Sequence, residues 1–412
     1  MHPASNAPSV VRPALLITGI LLIAATLRAP ITGIGPVLTL IQQAFGLGTA
    51  QAGFLTTLPL LAFALFSPLA PRIAARYGLE RTLFGALGLT AAGIIMRSLG
   101  SASSLFVGTG LIGAGIAVGN VLLPSLVKRD FPQRIAGMTG AYAVTMAVAA
   151  ALGSATAVPL AEAPGMSWQL ALGAMLALPL VAMAAWIPQL AGHTLPPLNA
   201  APTCQAAPVW RSALAWQVTL FIGLNSFLYY VLIGWLPSIL TTAGYSATEA
   251  GSLHGLMQLA SGVPGLFIAP VLRLFKDQRA VAAGTALLSI VSLLGLLLAP
   301  LWAIVWAPLF GFCAGAGIIL ALMFMGLRTR TAPQAAALSG MAQCIGYLLA
   351  ACGPPLIGAL HDVSGGWQLP LGVCAVLAIA MAVAGLGSGR AIQMPAPPDD
   401  HAPALGHDVT AP

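Results

Sequence analysis

Two arginines, Arg28 and Arg97, sit in apolar stretches without aspartate or glutamate: TGILLIAATLRAPITGIGPVLTLI and LFGALGLTAAGIIMRSLG. A guanidinium in an apolar layer is costly unless something negative or strongly dipolar meets it. Its chemistry there is recognition: parallel N–H donors offered to a carboxylate, a cyanate or a nitro group. Pro30, Gly33, Gly35 and Pro36 follow Arg28 closely. Such residues interrupt a helix and free backbone groups toward a cavity. The competing reading of Arg28 is a structural arginine satisfied by carbonyls. For Arg97, near the outer end of its stretch, the structural reading leads, by snorkelling or by capping a neighbouring helix. A second role for it is guidance of anions at an outer vestibule.

Further polar groups lie at similar depth. His254 is the one histidine well inside an apolar stretch. Ser246 and Glu249 have capping-box spacing, which starts that helix at its outer end and puts His254 roughly two turns in. His254 could donate to an anion, titrate near neutral pH, or pack with a hydrogen bond. Asn120, Asn225, Tyr229, Tyr230, Gln258, Gln343 and Tyr347 supply further donors, and Gln343 and Tyr347, four residues apart, share a helix face. The aromatics suit the wall of a pocket for a planar solute. The alternative for each is ordinary interhelical hydrogen bonding. Trp235 and Trp367 read as membrane-interface anchors.

The elements that position these residues must be membrane helices. The chain of 412 residues is 58% hydrophobic and 6% charged, against about 25% charged in a soluble domain. Spanning helices of roughly 20 apolar residues fit twelve times: 13–40, 50–70, 82–100, 104–126, 135–159, 168–188, 213–240, 248–272, 280–299, 301–326, 335–360 and 367–388. With the N-terminus inside, 14 of the 16 lysines and arginines fall on inner segments; the exceptions are Arg28 and Arg97. That asymmetry puts both termini in the cytoplasm. It also accounts for the net charge of +7 without a nucleic-acid partner. No cleavable signal peptide is expected, since the first apolar run continues past Arg28 instead of ending in a small-residue cleavage site.

All nine acids fall in loops, helix ends or the tail, so a carboxylate proton relay inside the spans is not expected. Cys204, Cys313, Cys344, Cys352 and Cys374 form no Cys-x-x-Cys pair and read as small buried side chains. No metal or cofactor is expected. No zinc-protease motif, phosphate loop or acid dyad argues for an enzyme. The cytoplasmic segments are too short to hold a signalling domain.

The polar, proline-bearing stretch 189–212 divides the chain into a bundle at 1–188 and a bundle at 213–390, with a disordered tail at 391–412. The bundles echo each other. With an offset of 200, Gly140 falls on Gly340, Gly153 on Gly353 and Glu162 on Asp362. Trp168 and Trp367 follow one residue out of step, Pro132-Gln133 matches Pro333-Gln334, and Gly113-Ala114-Gly115-Ile116 matches Gly315-Ala316-Gly317-Ile318. A duplicated six-helix unit suits alternating access about a site between the bundles. The four glycines Gly140, Gly153, Gly340 and Gly353 are expected to permit close helix approach and to slide during gating.

This layout resembles the major facilitator superfamily over nearly the whole chain. The loop PRIAARYGLERTL looks like a degraded G-x-L-A-D-R-x-G-R-R motif: Arg76 and Gly78 remain, Arg81 stands one place beyond the closing basic pair, and Ala75 replaces the acid. The stretches LRAPITGIGPVL, GNVLLPSLVKRDFP, FLYYVLIGWLPSIL and LSGMAQCIGYLLAACGP resemble the cyanate permease and 2-nitroimidazole transporter branch. The resemblance implies an all-α membrane protein of twelve transmembrane helices in two six-helix bundles. It implies a monomeric secondary transporter in a bacterial inner membrane, surrounded by lipid. The expected cargo is a small anionic or polar planar solute of cyanate type, held at Arg28; the alternative is export of 2-nitroimidazole-like or other drug molecules.

Overall fold

The computed structural model describes residues 13–191, 209–267, 275, 277–330 and 332–395. Among them no strand forms, as expected where lipid offers the backbone no partner and each segment must close its own hydrogen bonds. Among the described residues eleven helices are long and apolar enough to cross a bilayer: Ala14–Phe45, Thr49–Phe66, Leu79–Arg97, Ala102–Asp130, Gly137–Glu162, Trp168–Leu190, Ala213–Thr242, Arg279–Leu298, Pro300–Leu327, Ala337–Ser364 and Gln368–Ser388. The expected eighth span is a helix from Ala247 to Gly262 followed by a 3-10 turn at Val263–Leu266. Residues 268–274, where it was expected to end, lie outside the described residues. Spans are numbered below in chain order with this helix as the eighth.

The first span is not one helix. It runs as Pro13–Thr26, Ala29–Thr32, a 3-10 turn Gly35–Val37, and Leu38–Phe45. Two prolines explain both breaks. A proline lacks the N–H that would bond the carbonyl four residues back, and its ring collides with that carbonyl. Counting back four from Pro30 gives Thr26, and from Pro36 gives Thr32; the helical segments end at those two residues. Arg28 lies in the first gap, with φ −125° and ψ −49°.

Packing inside the two halves is parallel. A Cβ on Gly153 of the fifth span would lie 3.1 Å from the Ala29 carbonyl oxygen of the first span; one on Gly353 of the eleventh would lie 3.0 Å from Val231 of the seventh. These two glycines permit the close approach expected of them. Gly140 and Gly340 do not: among the described residues nothing lies within 4 Å of a Cβ built on either. Both sit nearer the basic end of their spans.

The connections expected to be loose are only partly described. Of the linker at 189–212, residues 192–208 lie outside the described residues, and so does 396–412 of the tail. The start of that tail is packed rather than disordered. Met394 is buried, and its N–H donates to the Arg328 carbonyl at 2.9 Å. The Pro395 carbonyl accepts from Gln334 Nε2 at 2.9 Å. The segment thus satisfies a carbonyl that the tenth span leaves open just past its C-terminal end, at the C-cap.

Candidate solute site

Between the halves lies a cavity of about 510 Å3. The seven predicted residues that border it are Arg28, Asn120, Asn225, Tyr229, Tyr230, Gln343 and Tyr347. Its wall includes Ala117 to Pro124 on the fourth span, Ala314 to Leu322 on the tenth, and Phe63 and Ser67 on the second. Each of those stretches is the part of its span nearer the end that carries Arg72, Arg76, Lys128 and Arg129. The cavity therefore runs from mid-span toward the basic end.

Toward the opposite end the halves touch. Gly53 meets Pro354, where a Cβ would lie 2.6 Å from the carbonyl oxygen, and Gly255 meets Ala151, where it would lie 2.7 Å from one. Thr57 Oγ1 donates to the Ala351 carbonyl at 2.8 Å. Ser154 Oγ and His254 Nδ1 are 2.6 Å apart across the fifth and eighth spans.

Arg28 is half-buried and reaches across the gap. Its Nη1 donates to the Tyr229 hydroxyl, and its guanidinium lies over the Tyr229 ring, 5.4 Å from the centroid. The Tyr229 hydroxyl in turn donates to Gln258 Oε1 at 2.8 Å. No described acid forms an ion pair with Arg28. Its partners are a neutral hydroxyl and a ring face, which leave a cation able to exchange them for something more negative. Tyr230 stands edge-on to Tyr229 with ring centroids 5.6 Å apart, and Tyr347 stands edge-on to Phe63 at 6.1 Å. Ile31, Ile233, Ile318 and Leu322 complete apolar parts of the wall.

The other predicted residues divide by position. Asn120 is exposed in the cavity. Asn225 borders it, but its Nδ2 is engaged by the Ala314 carbonyl at 3.1 Å. Gln343 donates to Ser339 at 2.8 Å. Gln258 does not border the cavity; it is fully buried behind Tyr229, whose hydroxyl it accepts. His254 does not border it either, and lies fully buried against Ser154. Both share a helix face with Ser261, which borders the cavity, but they lie further toward the closed end, where that face packs against the fifth and seventh spans.

Arg97 is fully buried and donates to the carbonyls of Pro30, at 2.6 Å, and Leu172, at 3.5 Å. It caps carbonyls of neighbouring spans and does not point to an outer vestibule. Gly78 forms a turn at φ 87°, Arg76 stacks its exposed guanidinium on Tyr77 at 5.4 Å, and Arg81 is exposed. Sequence reasoning missed the ion pair beside them. Glu80, only 3% exposed, accepts from Arg129 Nη1 at 2.8 Å and so ties the third span to the fourth. It also missed Thr32, Ser67, Ser226 and Ser261 in the cavity wall. Nothing distinguishes them in the sequence from the many helical serines and threonines that bond their own backbone.

Comparison with known proteins fits this geometry. The chain is 56% identical over 376 residues to the 2-nitroimidazole transporter of Escherichia coli K12, covering 91% of this chain and 95% of that one. It is 27% identical over 353 residues to the cyanate transport protein CynX of the same organism, covering 85% and 91%. A crystal structure of a bacterial homologue of the human lysosomal transporter Spinster, inward-facing and occupied, matches with a TM-score of 0.72 at 16% identity, over 94% of this chain and 98% of that one. That likeness concerns the fold alone. The family model for the Major Facilitator Superfamily matches residues 20–351, and the chain is a multi-pass membrane transporter belonging to that superfamily.

Proposed function

We propose that the chain carries a planar, nitro-bearing heteroaromatic solute of the 2-nitroimidazole kind, bound between its halves at Arg28. The observation that carries this reading is a guanidinium without an acid partner, facing a cavity that also presents Tyr229, Tyr230 and Tyr347. A nitro group offers two oxygens of partial negative charge to the guanidinium fork. The ring offers flat apolar faces to the tyrosines. The 56% identity to a 2-nitroimidazole transporter supports the same class. Cyanate, the cargo expected first from sequence, takes second place. It meets Arg28 equally well but has no ring for the aromatic wall, and the cyanate relative is 27% identical.

In this reading the cycle follows from which bonds cross between the halves. Arg28 belongs to the first bundle; Tyr229 and Gln258 belong to the second. A nitro group that takes Nη1 of Arg28 displaces the Tyr229 hydroxyl and replaces a direct bridge by one through the solute. The halves can then close around it at the basic end and part at the opposite end, where Gly53, Gly255 and Thr57 now hold them together. The excess of lysine and arginine supports a cytoplasmic position for the basic end in this reading. The protein acts as a monomer in this scheme, since both bundles come from one chain.

The test is radiolabelled flux in proteoliposomes of purified protein, with 2-nitroimidazole and cyanate in parallel and the gradient set in each direction. Saturable movement of the nitroimidazole, inhibited by unlabelled compound, is expected. Movement of cyanate with no inhibition by 2-nitroimidazole would overturn the reading, and the gradient direction that supports flux separates import from export.

A further inference from the structure

The structure assigns Arg97 a role in presenting Arg28: we propose that it is the positioning residue that holds the break in the first span open. The proposal rests on the reading that Arg28 binds the solute.

The break leaves a carbonyl in need of a donor. In an uninterrupted helix the Pro30 carbonyl would accept from the N–H of Ile34. Here that N–H turns to Ile31 instead, at 3.3 Å. A freed carbonyl at membrane depth has no water to bond, and leaving it unpaired costs several kcal/mol by order of magnitude. Arg97 Nη1 fills the vacancy at 2.6 Å. Its Nη2 faces the Leu172 carbonyl of the sixth span at 3.5 Å, and its Nε has no partner. The residue is wholly buried, and no described acid forms an ion pair with it. Its charge is held by carbonyls, one of which lies two residues from Arg28.

The base of this side chain is itself fixed. A Cβ on Gly93 would lie 2.7 Å from the Ile112 nitrogen, and one on Gly108 would strike the backbone nitrogen of Arg97. The third and fourth spans thus pack backbone to backbone beneath the guanidinium. From the other side Thr32 Oγ1 donates to the Ala150 carbonyl of the fifth span at 3.1 Å. The short segment Ala29–Thr32 is clamped between these two bonds, and Arg28 immediately precedes it. Release of the Pro30 carbonyl would let the segment seek another partner for it, and Arg28 would turn with the backbone.

Three variants test this on the full chain: Arg97→Met, Arg97→Gln and Arg97→Lys. Each is purified and assayed for 2-nitroimidazole binding, for KM and kcat in proteoliposomes, and for melting temperature. Arg97→Met is expected to raise KM by about tenfold or more, as for loss of a charged hydrogen bond acting on binding, with kcat within about twofold. Arg97→Lys, which keeps a donor and the charge, should restore KM to within about threefold of the parent, with Arg97→Gln between the two. Should Arg97→Met fail to accumulate, the order of Arg97→Gln and Arg97→Lys decides. Parental KM in Arg97→Gln, or a fall in kcat that tracks melting temperature at constant KM, overturns the proposal. Arg28→Gln is run alongside. If it binds as the parent does, the cavity reading itself fails; if it loses binding while Arg97→Met keeps parental KM, only this inference fails.

Discussion

The first and seventh spans hold equivalent places in their halves, and they differ in almost every property that matters to the cavity. Gly153 packs on the first as Gly353 packs on the seventh. The first is broken in two places by Pro30 and Pro36, carries the cation, and has its freed carbonyl capped by another arginine. The seventh runs unbroken from Ala213 to Thr242 and supplies Asn225, Ser226, Tyr229 and Tyr230. Its single proline, Pro237, lies four residues after Ile233, whose carbonyl Gly35 of the first span approaches. The two spans share a place in the packing and differ in what they present to the cavity. One side gives charge on an irregular backbone; the other gives rings and hydroxyls on a regular one.

The largest effect should come from blocking the two halves where they meet. Gly53→Leu forces a side chain against the Pro354 backbone, and flux should fall to background while the protein still accumulates; flux above half the parental rate would show that this contact does not form in the cycle. Next, the first span can be made to resemble the seventh. The double variant Pro30→Ala with Pro36→Ala restores two backbone donors and should regularise the helix, each proline being worth about 3 kcal/mol in a helix interior. It should melt at the parental temperature or higher and yet bind 2-nitroimidazole at least about tenfold more weakly, as stabilising changes at a strained site often do. Retained affinity would mean that the break does not present Arg28.

A smaller change is expected on the other side of the pair. Tyr229→Phe keeps the ring and removes the hydroxyl that joins Arg28 to Gln258. The hydroxyl makes two hydrogen bonds, but in the proposed cycle the solute displaces the one from Arg28. The remaining bond to Gln258 is worth about 1 kcal/mol, so KM should shift by only a few-fold, whereas basal leak of solute should rise as the bridge between halves is lost. Gly140→Ala marks the lower limit. With nothing within 4 Å of the added carbon, its flux should lie within about twofold of the parent.

Much of this was legible in the sequence, for physical reasons that also explain the rest. Membrane helices announce themselves by length and apolarity, and a lone Arg28 in such a stretch is conspicuous because its desolvation is so costly. Six aromatic and amide residues, Asn120, Asn225, Tyr229, Tyr230, Gln343 and Tyr347, border the cavity. Where the cavity stops is harder to read. His254 and Gln258 share the face of the eighth span that brings Ser261 to the cavity, but they sit about two turns and one turn closer, respectively, to the end where the halves touch, and the sequence does not say where along the spans the halves part. Gly140 and Gly153 look alike for a related reason, since a repeat fixes position along a helix and not which neighbour lies opposite. The pair of Glu80 and Arg129 joins residues far apart in the chain, and Glu80 counted in the sequence merely as an acid near a helix start. For Arg97 the sequence left open snorkelling outward or capping a neighbouring helix; its bond to the Pro30 carbonyl depends on the tertiary arrangement of the third span against the first.

The most direct measurement is calorimetric titration of 2-nitroimidazole into the purified full-length protein and into Arg28→Gln. Saturable binding to the parent, weakened at least about tenfold in a variant of parental melting temperature, is the predicted result for loss of a charged hydrogen-bond donor. Equal affinity in the two proteins would contradict the central claim that this guanidinium meets the cargo.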